Sequence, residues 1–206
     1  MKVVTLNVGR LIPFLNRFIP IGKNSIRKVR TQLEELDADI VFLQEIAGNR
    51  HLEQLIEGTK YHFALGPSYE DERRLENVAL LSKREIRDID YIPESHAISA
   101  SIPEYDINAV NVHLHLRKKK RWEQIKLLLS KIKRRRTIIG GDFNSNAEEN
   151  SFGDLRSCTS KIRSTTLYGR HIDDILHTPD VNVKSTELIN CRFGLMDHYP
   201  LMATIS

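Results

Sequence analysis

The sequence predicts a single α/β sandwich, two packed sheets with helices outside. Short apolar runs alternate with helix-patterned stretches from one end to the other, strand-like runs outnumber helical ones, and successive strand-like runs lie close enough to form hairpins. At 206 residues the chain can bury one sizeable core and is short for two. No repeat, low-complexity tract or Pro/Gly/Ser linker divides it, so one domain is expected over 1–206.

The elements follow in order. Lys2 to Leu6 is a first strand. Ser25 can cap a helix running to about Leu36, with Ile26, Val29, Leu33 and Leu36 on one face. Ile40 to Leu43 is a fully apolar strand ending at Gln44-Glu45, and a short helix follows near Leu52 to Ile56. Strands are expected at Tyr61 to Leu65, Val78 to Leu81, Ile86 to Ile92, Ala97 to Ile102 and Ile107 to Leu116. Trp122, Ile125, Leu129 and Ile132 recur at helical spacing, backed by polar Glu123, Lys126 and Lys133. Thr137 to Ile139 is another buried strand, and further strands fit Ile172 to Leu176, Val181 to Leu188 and Tyr199 to Ile205.

Hydrophobic content of 40% with 28% charged residues describes an ordinary globular protein. No apolar run is long enough to cross a bilayer, and the start lacks a secretory pattern. Leu11 to Ile21 is apolar but interrupted by Pro13, Asn16, Arg17 and Pro20, and is expected to be a buried or partner-facing loop. Cys158 and Cys191 are too few for a disulfide framework and fit no metal motif. A reduced, cytoplasmic chain is the default, with a single bridge left open. A monomer is expected. Basic residues outnumber acidic ones by 31 to 27, a formal charge of +4. The excess concentrates at Arg117 to Arg121 and Lys133 to Arg136, clusters that can hold a polyanion by counterion release or simply be a solvated helix face and helix end.

The residues that carry chemistry stand where apolar strands run out. Asn7 follows Val3 to Leu6, Glu45 follows Ile40 to Leu43, and Asp142 follows Ile138-Ile139-Gly140-Gly141. Strand ends can share one rim, where a cation collects ligands from distant parts of the chain. Each also has a plainer reading, as a turn residue, an exposed charge or a loop starter. In Val110 to Leu116, Asn111, His113 and His115 alternate with apolar residues and so share a strand face. That face either lines a cleft, where His113 donates to a phosphoryl oxygen, or is the wet side of a half-exposed strand. Of Asp173 and Asp174, one can point toward the site and the other away. His198 needs an acceptor on its second ring nitrogen to be a fixed base, and Asp173 is the candidate. Acidic, amide and imidazole groups of this kind are what phosphate-ester hydrolysis requires.

Thr5-Leu6-Asn7, Leu43-Gln44-Glu45, Val78 to Ser82, Asn111 to Leu114, Gly141-Asp142-Phe143-Asn144, Ile172-Asp173 and Asp197 to Leu201 together resemble the motifs of the endonuclease/exonuclease/phosphatase superfamily, in its order and over nearly the whole chain. The resemblance implies a four-layer α/β sandwich, two mainly antiparallel sheets flanked by helices, with Mg²⁺ or Mn²⁺ in a cleft at one edge. By motif, Glu45 resembles the principal metal carboxylate, with Asn7 and Asp197 nearby. Asp142 and Asn144 resemble the pair that positions the attacking water and the phosphate. His198 resembles the general base held by Asp173, and His113 the second histidine of the deoxyribonuclease-like and sphingomyelinase-like branches. Glu76 is a looser match to a residue supporting His113, and Arg121 with Gln124 resembles a structural Arg-x-x-Gln pattern. The chain departs from the family at Leu6, where Trp is common, and at Met196, where Ser is common. It also lacks the Tyr-x-Pro-Asn element of abasic-site endonucleases. The expected function is a Mg²⁺-dependent phosphodiester hydrolase, first a nuclease for DNA or RNA. The runner-up is a phosphatase or phosphodiesterase for lipid headgroups, inositol phosphates or nucleotides, with the 11–21 loop touching a membrane surface. A binding protein with a relict site comes third.

Overall fold

Alternation within the central strands divides their apolar side chains between two faces. Val4 and Leu6 fall on one face of the first strand and Val3 on the other, and Val41 and Leu43 oppose Ile40 and Phe42 in the second. Strands buried on both faces must be apolar throughout, which is why these runs are continuous rather than alternating. The computed structural model describes residues 1–9, 21–71, 74–145, 152–190 and 197–206.

Among the described residues there are twelve strands and three α-helices. The strands are β1 (Lys2–Asn7), β2 (Ile40–Ile46), β3 (His62–Asp71), β4 (Arg74–Ser82), β5 (Arg87–Ile92), β6 (Ala97–Ile102), β7 (Ile107–His113), β8 (Thr137–Asp142), β9 (Arg156–Ser157), β10 (Asp173–His177), β11 (Val183–Leu188) and β12 (Leu201–Ile205). The helices are α1 (Ile21–Leu36), α2 (Asn49–Ile56) and α3 (Lys118–Lys131). One sheet has the order β11-β12-β1-β2-β4-β3 and the other β5-β6-β7-β8-β10-β9. Both are mixed, and each has a single parallel pair at its centre, β1 with β2 and β7 with β8. All other pairings are antiparallel. A parallel neighbour needs a crossover, which α1 supplies in the first sheet and α3 in the second.

The apolar residues form three clusters, one between the sheets and one on each outer face under the helices. This is the four-layer α/β sandwich expected. Two expectations need correction. The first helix begins at Ile21, a turn before Ser25, so Ser25 lies inside it rather than at its cap. The inner face of α3 carries Arg121, Gln124, Ile125 and Leu128, while Trp122 and Leu129 are only half-buried. That face rotates toward Arg121 and Gln124 because both bond the preceding loop. Arg121 Nη1 donates to the carbonyls of His115 and Leu116 at 3.1 and 2.9 Å, and Gln124 Oε1 accepts from the His115 N–H at 2.7 Å.

The sheets are also joined by buried polar groups. Gln44 Nε2 donates to Asn111 Oδ1 (2.7 Å) and Thr5 Oγ1 (3.2 Å), and Asn111 Nδ2 donates to the carbonyls of Leu43 and Ala79, both at 2.8 Å. Asn111 thus reaches across the sandwich from β7, which rules out a wet outer face for that strand.

Candidate active site

Parallel partners end side by side. Asn7 pairs with Gln44 in the β1–β2 ladder, and His113 pairs with Asp142 in the β7–β8 ladder. Asp173 pairs with Asp142 on the other side of β8. Directly opposed residues put their side chains on the same sheet face, so His113, Asp142 and Asp173 stand in a row across three strands.

Contacts then link both sheets. Asn7 Nδ2 donates to Glu45 Oε1 and to Asp142 Oδ2, each at 3.1 Å. Glu45 reaches this position from a left-handed backbone with φ of 60°, where the β2–β4 register shifts between Leu43 and Ile46. A side chain held in that region costs on the order of 1–3 kcal/mol and persists only where its surroundings impose it. His198 Nδ1 lies 2.9 Å from both carboxylate oxygens of Asp173. Its Nε2 lies 3.8 Å from Asp142 Oδ2 and 3.8 Å from Asp197 Oδ1. His113 Nε2 is 3.7 Å from Asp142 Oδ2. Asn144, at φ 52°, gives its backbone N–H to Asp142 Oδ1 (2.8 Å) and its amide Nδ2 to the Leu114 carbonyl (2.8 Å).

Eight of the nine candidate residues are therefore linked at one group of strand ends: Asn7, Glu45, His113, Asp142, Asn144, Asp173, Asp197 and His198. The ninth, Glu76, occupies β4 opposite Tyr69 in register, and its side chain lies outside the described residues. So do most of the 11–21 loop, Cys191 and Met196. Asp173 and Asp174 divide as alternation requires. Asp173 faces His198, while Asp174 Oδ1 accepts from Thr159 Oγ1 at 2.6 Å and its Oδ2 from Ser157 Oγ at 2.7 Å. His96 went unnoticed in the sequence: its Nδ1 lies 3.0 Å from the His113 carbonyl and its ring centroid 5.4 Å from that of His113. No local pattern marks it.

Charge in the cleft is unbalanced. Burial, followed by the charge of Asp173, pushes the Asp142 carboxyl up to about 7 against the pull of His198. Burial works against a charged His198. The Asp173 charge and hydrogen bond, then Asp142 and Asp197, override it and raise the imidazole to about 9. Among the described residues no lysine or arginine is ion-paired with Asp142, Asp173 or Asp197. Hard oxygen donors carrying surplus negative charge suit a hard divalent cation. Asp142, Asp173 and His198 bring potential ligand atoms within 4.8 Å of one another.

A sequence profile of the Endonuclease/Exonuclease/phosphatase family matches residues 4–192. The chain belongs to this family. It is a phosphohydrolase of that superfamily, whose members generally depend on a divalent metal. Among solved structures it is similar to a humanized D. rerio TDP2, with 19% identity, TM-score 0.77, and 100% of this chain and 98% of that one covered. A mannosyl-6-phosphatase from Bacteroides thetaiotaomicron is 18% identical, with TM-score 0.79 and coverage of 100% and 99%. An AP endonuclease from Archaeoglobus fulgidus is 19% identical, with TM-score 0.74 and coverage of 100% and 99%. At such identities the likeness concerns the fold. A comparison with curated proteins finds no match. Among the described residues no helix is long and apolar enough to cross a membrane.

Proposed function

We propose that this family member is a Mg²⁺- or Mn²⁺-dependent phosphodiesterase, and specifically a nuclease acting on DNA or RNA. The observation that carries the reading is the His198 imidazole, held at Nδ1 by both oxygens of Asp173 and presenting Nε2 between the carboxylates of Asp142 and Asp197. Nδ1 is committed to Asp173, so only Nε2 can exchange a proton with a reactant. In its neutral form His198 takes the proton from a water that Asp142 orients through Oδ2, the oxygen that also accepts from Asn7 Nδ2, while Asp173 stabilises the imidazolium that forms. His113 donates to the phosphoryl oxygen, and Asn144, bonded to Asp142 Oδ1 and the Leu114 carbonyl, holds the end of β8 from which Asp142 projects.

Glu45 and Asp197 are the carboxylates that would hold the ion, and Asn7, whose Nδ2 donates to Glu45 and Asp142, would stand beside it and orient them. When bound, a divalent cation polarises the phosphoryl oxygen and neutralises charge on the leaving oxygen. Asp173, with both oxygens on His198, is better suited to orienting the base than to ligating a metal, although it belongs to the tightest donor cluster.

Nucleic acid as substrate is supported by the exposed Arg117 to Lys120 run, which begins four residues after His113 and opens α3. A reducing cytoplasm is the setting we propose, supported by Cys158, a free thiol that burial pushes up to about 12.

The test is incubation with plasmid, single-stranded DNA, RNA, sphingomyelin and inositol phosphates, with Mg²⁺ and with EDTA. Nucleic-acid cleavage suppressed by EDTA is the expected result. Release of headgroups alone would select the lipid or inositol phosphate class instead, and inactivity throughout would leave only a binding role. Glu45→Gln and His198→Ala should each abolish turnover with the fold intact by circular dichroism. Activity retained in either purified variant would refute its role.

A further inference from the structure

Asp173 and His198 are 25 residues apart, one opening β10 and the other three residues before β12 of the other sheet, yet their carboxylate and imidazole meet at 2.9 Å. Something must set the relative position of the two main chains. The connection between β9 and β10 runs directly past both. Within it, Thr165 is fully buried and bonds to the backbone on each side.

Toward the acid, Thr165 Oγ1 accepts the backbone N–H groups of both Ile172 and Asp173, each at 3.1 Å. Toward the base, the Thr165 carbonyl accepts the N–H of Tyr199 at 2.9 Å, one residue past His198. Two neighbours extend the second contact. Thr166 forms an isolated antiparallel bridge with His198, and the Leu167 N–H donates to the Asp197 carbonyl at 2.7 Å. The loop holds its own shape through Arg170, whose carbonyl accepts from the N–H groups of Thr165 and Thr166 at 2.8 and 3.0 Å. From the other direction Asp173 is held in its ladder with Asp142.

We infer that Thr165 is a positioning residue for the phosphodiesterase reaction, its hydroxyl fixing Asp173 and its carbonyl fixing the segment of His198. The inference rests on the proposed roles of those two residues. No other side chain among the described residues is seen to bond the main chain of Asp173. A buried N–H without an acceptor is costly, so loss of the hydroxyl leaves two such groups and the strand start must shift to reach others. A displacement of the acid by about 1 Å is enough to cost on the order of 10²-fold in rate.

Thr165→Val removes the acceptor at nearly constant volume, and Thr165→Ser keeps it. With bis(p-nitrophenyl) phosphate and Mg²⁺, the valine variant should lose about 10²-fold in kcat at unchanged KM, and the serine variant should restore most of it. In an Asp173→Asn background Thr165→Val should cost nothing further, because both act through one imidazole. An additive loss, or full activity in Thr165→Val, would overturn the inference.

A second readout is independent of turnover. The proton on His198 Nδ1, bonded to Asp173, should give a slowly exchanging, far-downfield NMR resonance in the wild type and in Thr165→Ser. It should broaden or vanish in Thr165→Val, and its survival unchanged there would sink the proposal. If Thr165→Val does not fold, Thr165→Cys, with a weak sulfur acceptor, should show an intermediate loss in both measurements. Wild-type behaviour of Thr165→Cys in both would count against the idea. Full activity of His198→Ala combined with a lost resonance in Thr165→Val would overturn the base assignment, and with it any role of Thr165 in the reaction, leaving only a structural hold on Asp173.

Discussion

Asn7 and Asp142 meet the same requirement in the same way. Each accepts on one side-chain oxygen from the backbone N–H two residues on, Gly9 at 2.9 Å and Asn144 at 2.8 Å, and turns the remaining polar atom into the site. Turn residue and site residue were alternatives in the sequence; the geometry makes them one role, since the local turn is what holds the side chain still. His198 and Asp142 carry a pH dependence of definite sign. The folded pKa of His198, about 9, lies above its ordinary 6.5, so its stabilising contribution is complete below pH 6.5 and is lost as pH rises through 9. Asp142 titrates at about 7 instead of 3.8, so ionising it in the fold carries a penalty that is absent below pH 3.8 and full above 7. Both effects have the same direction. The Tm of metal-free protein should fall progressively from pH 4 to pH 9, and the slope should flatten in Asp142→Asn/His198→Ala. Added Mg²⁺ should raise Tm most at the alkaline end, where Asp142 is ionised and free to favour a cation. Thermal melts across that range, with and without Mg²⁺, measure both; a Tm rising with pH in the metal-free protein would contradict the assignment.

The strands that carry the site were legible because burial on both faces demands unbroken apolar runs, and the last polar residue of such a run must emerge at the rim. Glu45, Asp142 and Asn7 could be found on that ground. Elements that owe their form to buried polar groups left no trace in the apolar pattern, and Arg121 with Gln124 stood out only by resemblance. The inner face of α3 is set by Arg121 and Gln124 rather than by its apolar spacing, β9 has only two residues, and Thr165 lies in a connection with no periodicity. The Gly140-Gly141 pair belongs to the same class, since its reason is spatial. A Cβ on Gly140 would lie 2.2 Å from a Phe42 ring carbon, and one on Gly141 would lie 2.1 Å from the Val112 carbonyl oxygen. The first glycine lets the sheets approach over the Phe42 ring, and the second lets β7 and β8 keep the register that pairs His113 with Asp142. Gly140→Ala should destabilise by about 1–3 kcal/mol, the usual cost of overpacking. Gly141→Ala should cost at least as much and also lower kcat, because a backbone oxygen cannot swing aside. Urea unfolding with an unchanged m-value checks the first, and wild-type midpoints for both variants would show that these close approaches are not needed.

Across the molecule, the two basic clusters occupy opposite rims. β7 and β8 run in the same direction, with His113 and Asp142 at their ends. Arg117 to Lys120 follows the end of β7 and so lies on the side of the cleft, whereas Lys133 to Arg136 precedes the start of β8, about 20 Å away at 3.3 Å per residue. The distal cluster is also partly committed: Arg136 Nε lies 3.0 Å from Asp106 Oδ2, and Arg134 Nη1 3.4 Å from Asp154 Oδ1. The proximal cluster stands against local stability. Lys118, Lys119 and Lys120 open α3 with no acidic residue in its first turn, where the helix dipole disfavours cations by about 0.3–1 kcal/mol each. Cations at a position that weakens their own helix are what the proposed nucleic-acid substrate would require on this side of the site. Replacing all three with Gln should therefore raise Tm slightly while raising KM for duplex DNA and reducing the salt slope of binding by about 2–3, close to 0.9 per lost phosphate contact. Replacing Lys133 and Arg135 with Gln should leave both KM and slope near wild type. The comparison requires one titration of DNA cleavage against KCl for each variant. Equal effects from the two rims, or an effect from the distal rim alone, would mean that the nucleic acid does not cross the cleft as proposed.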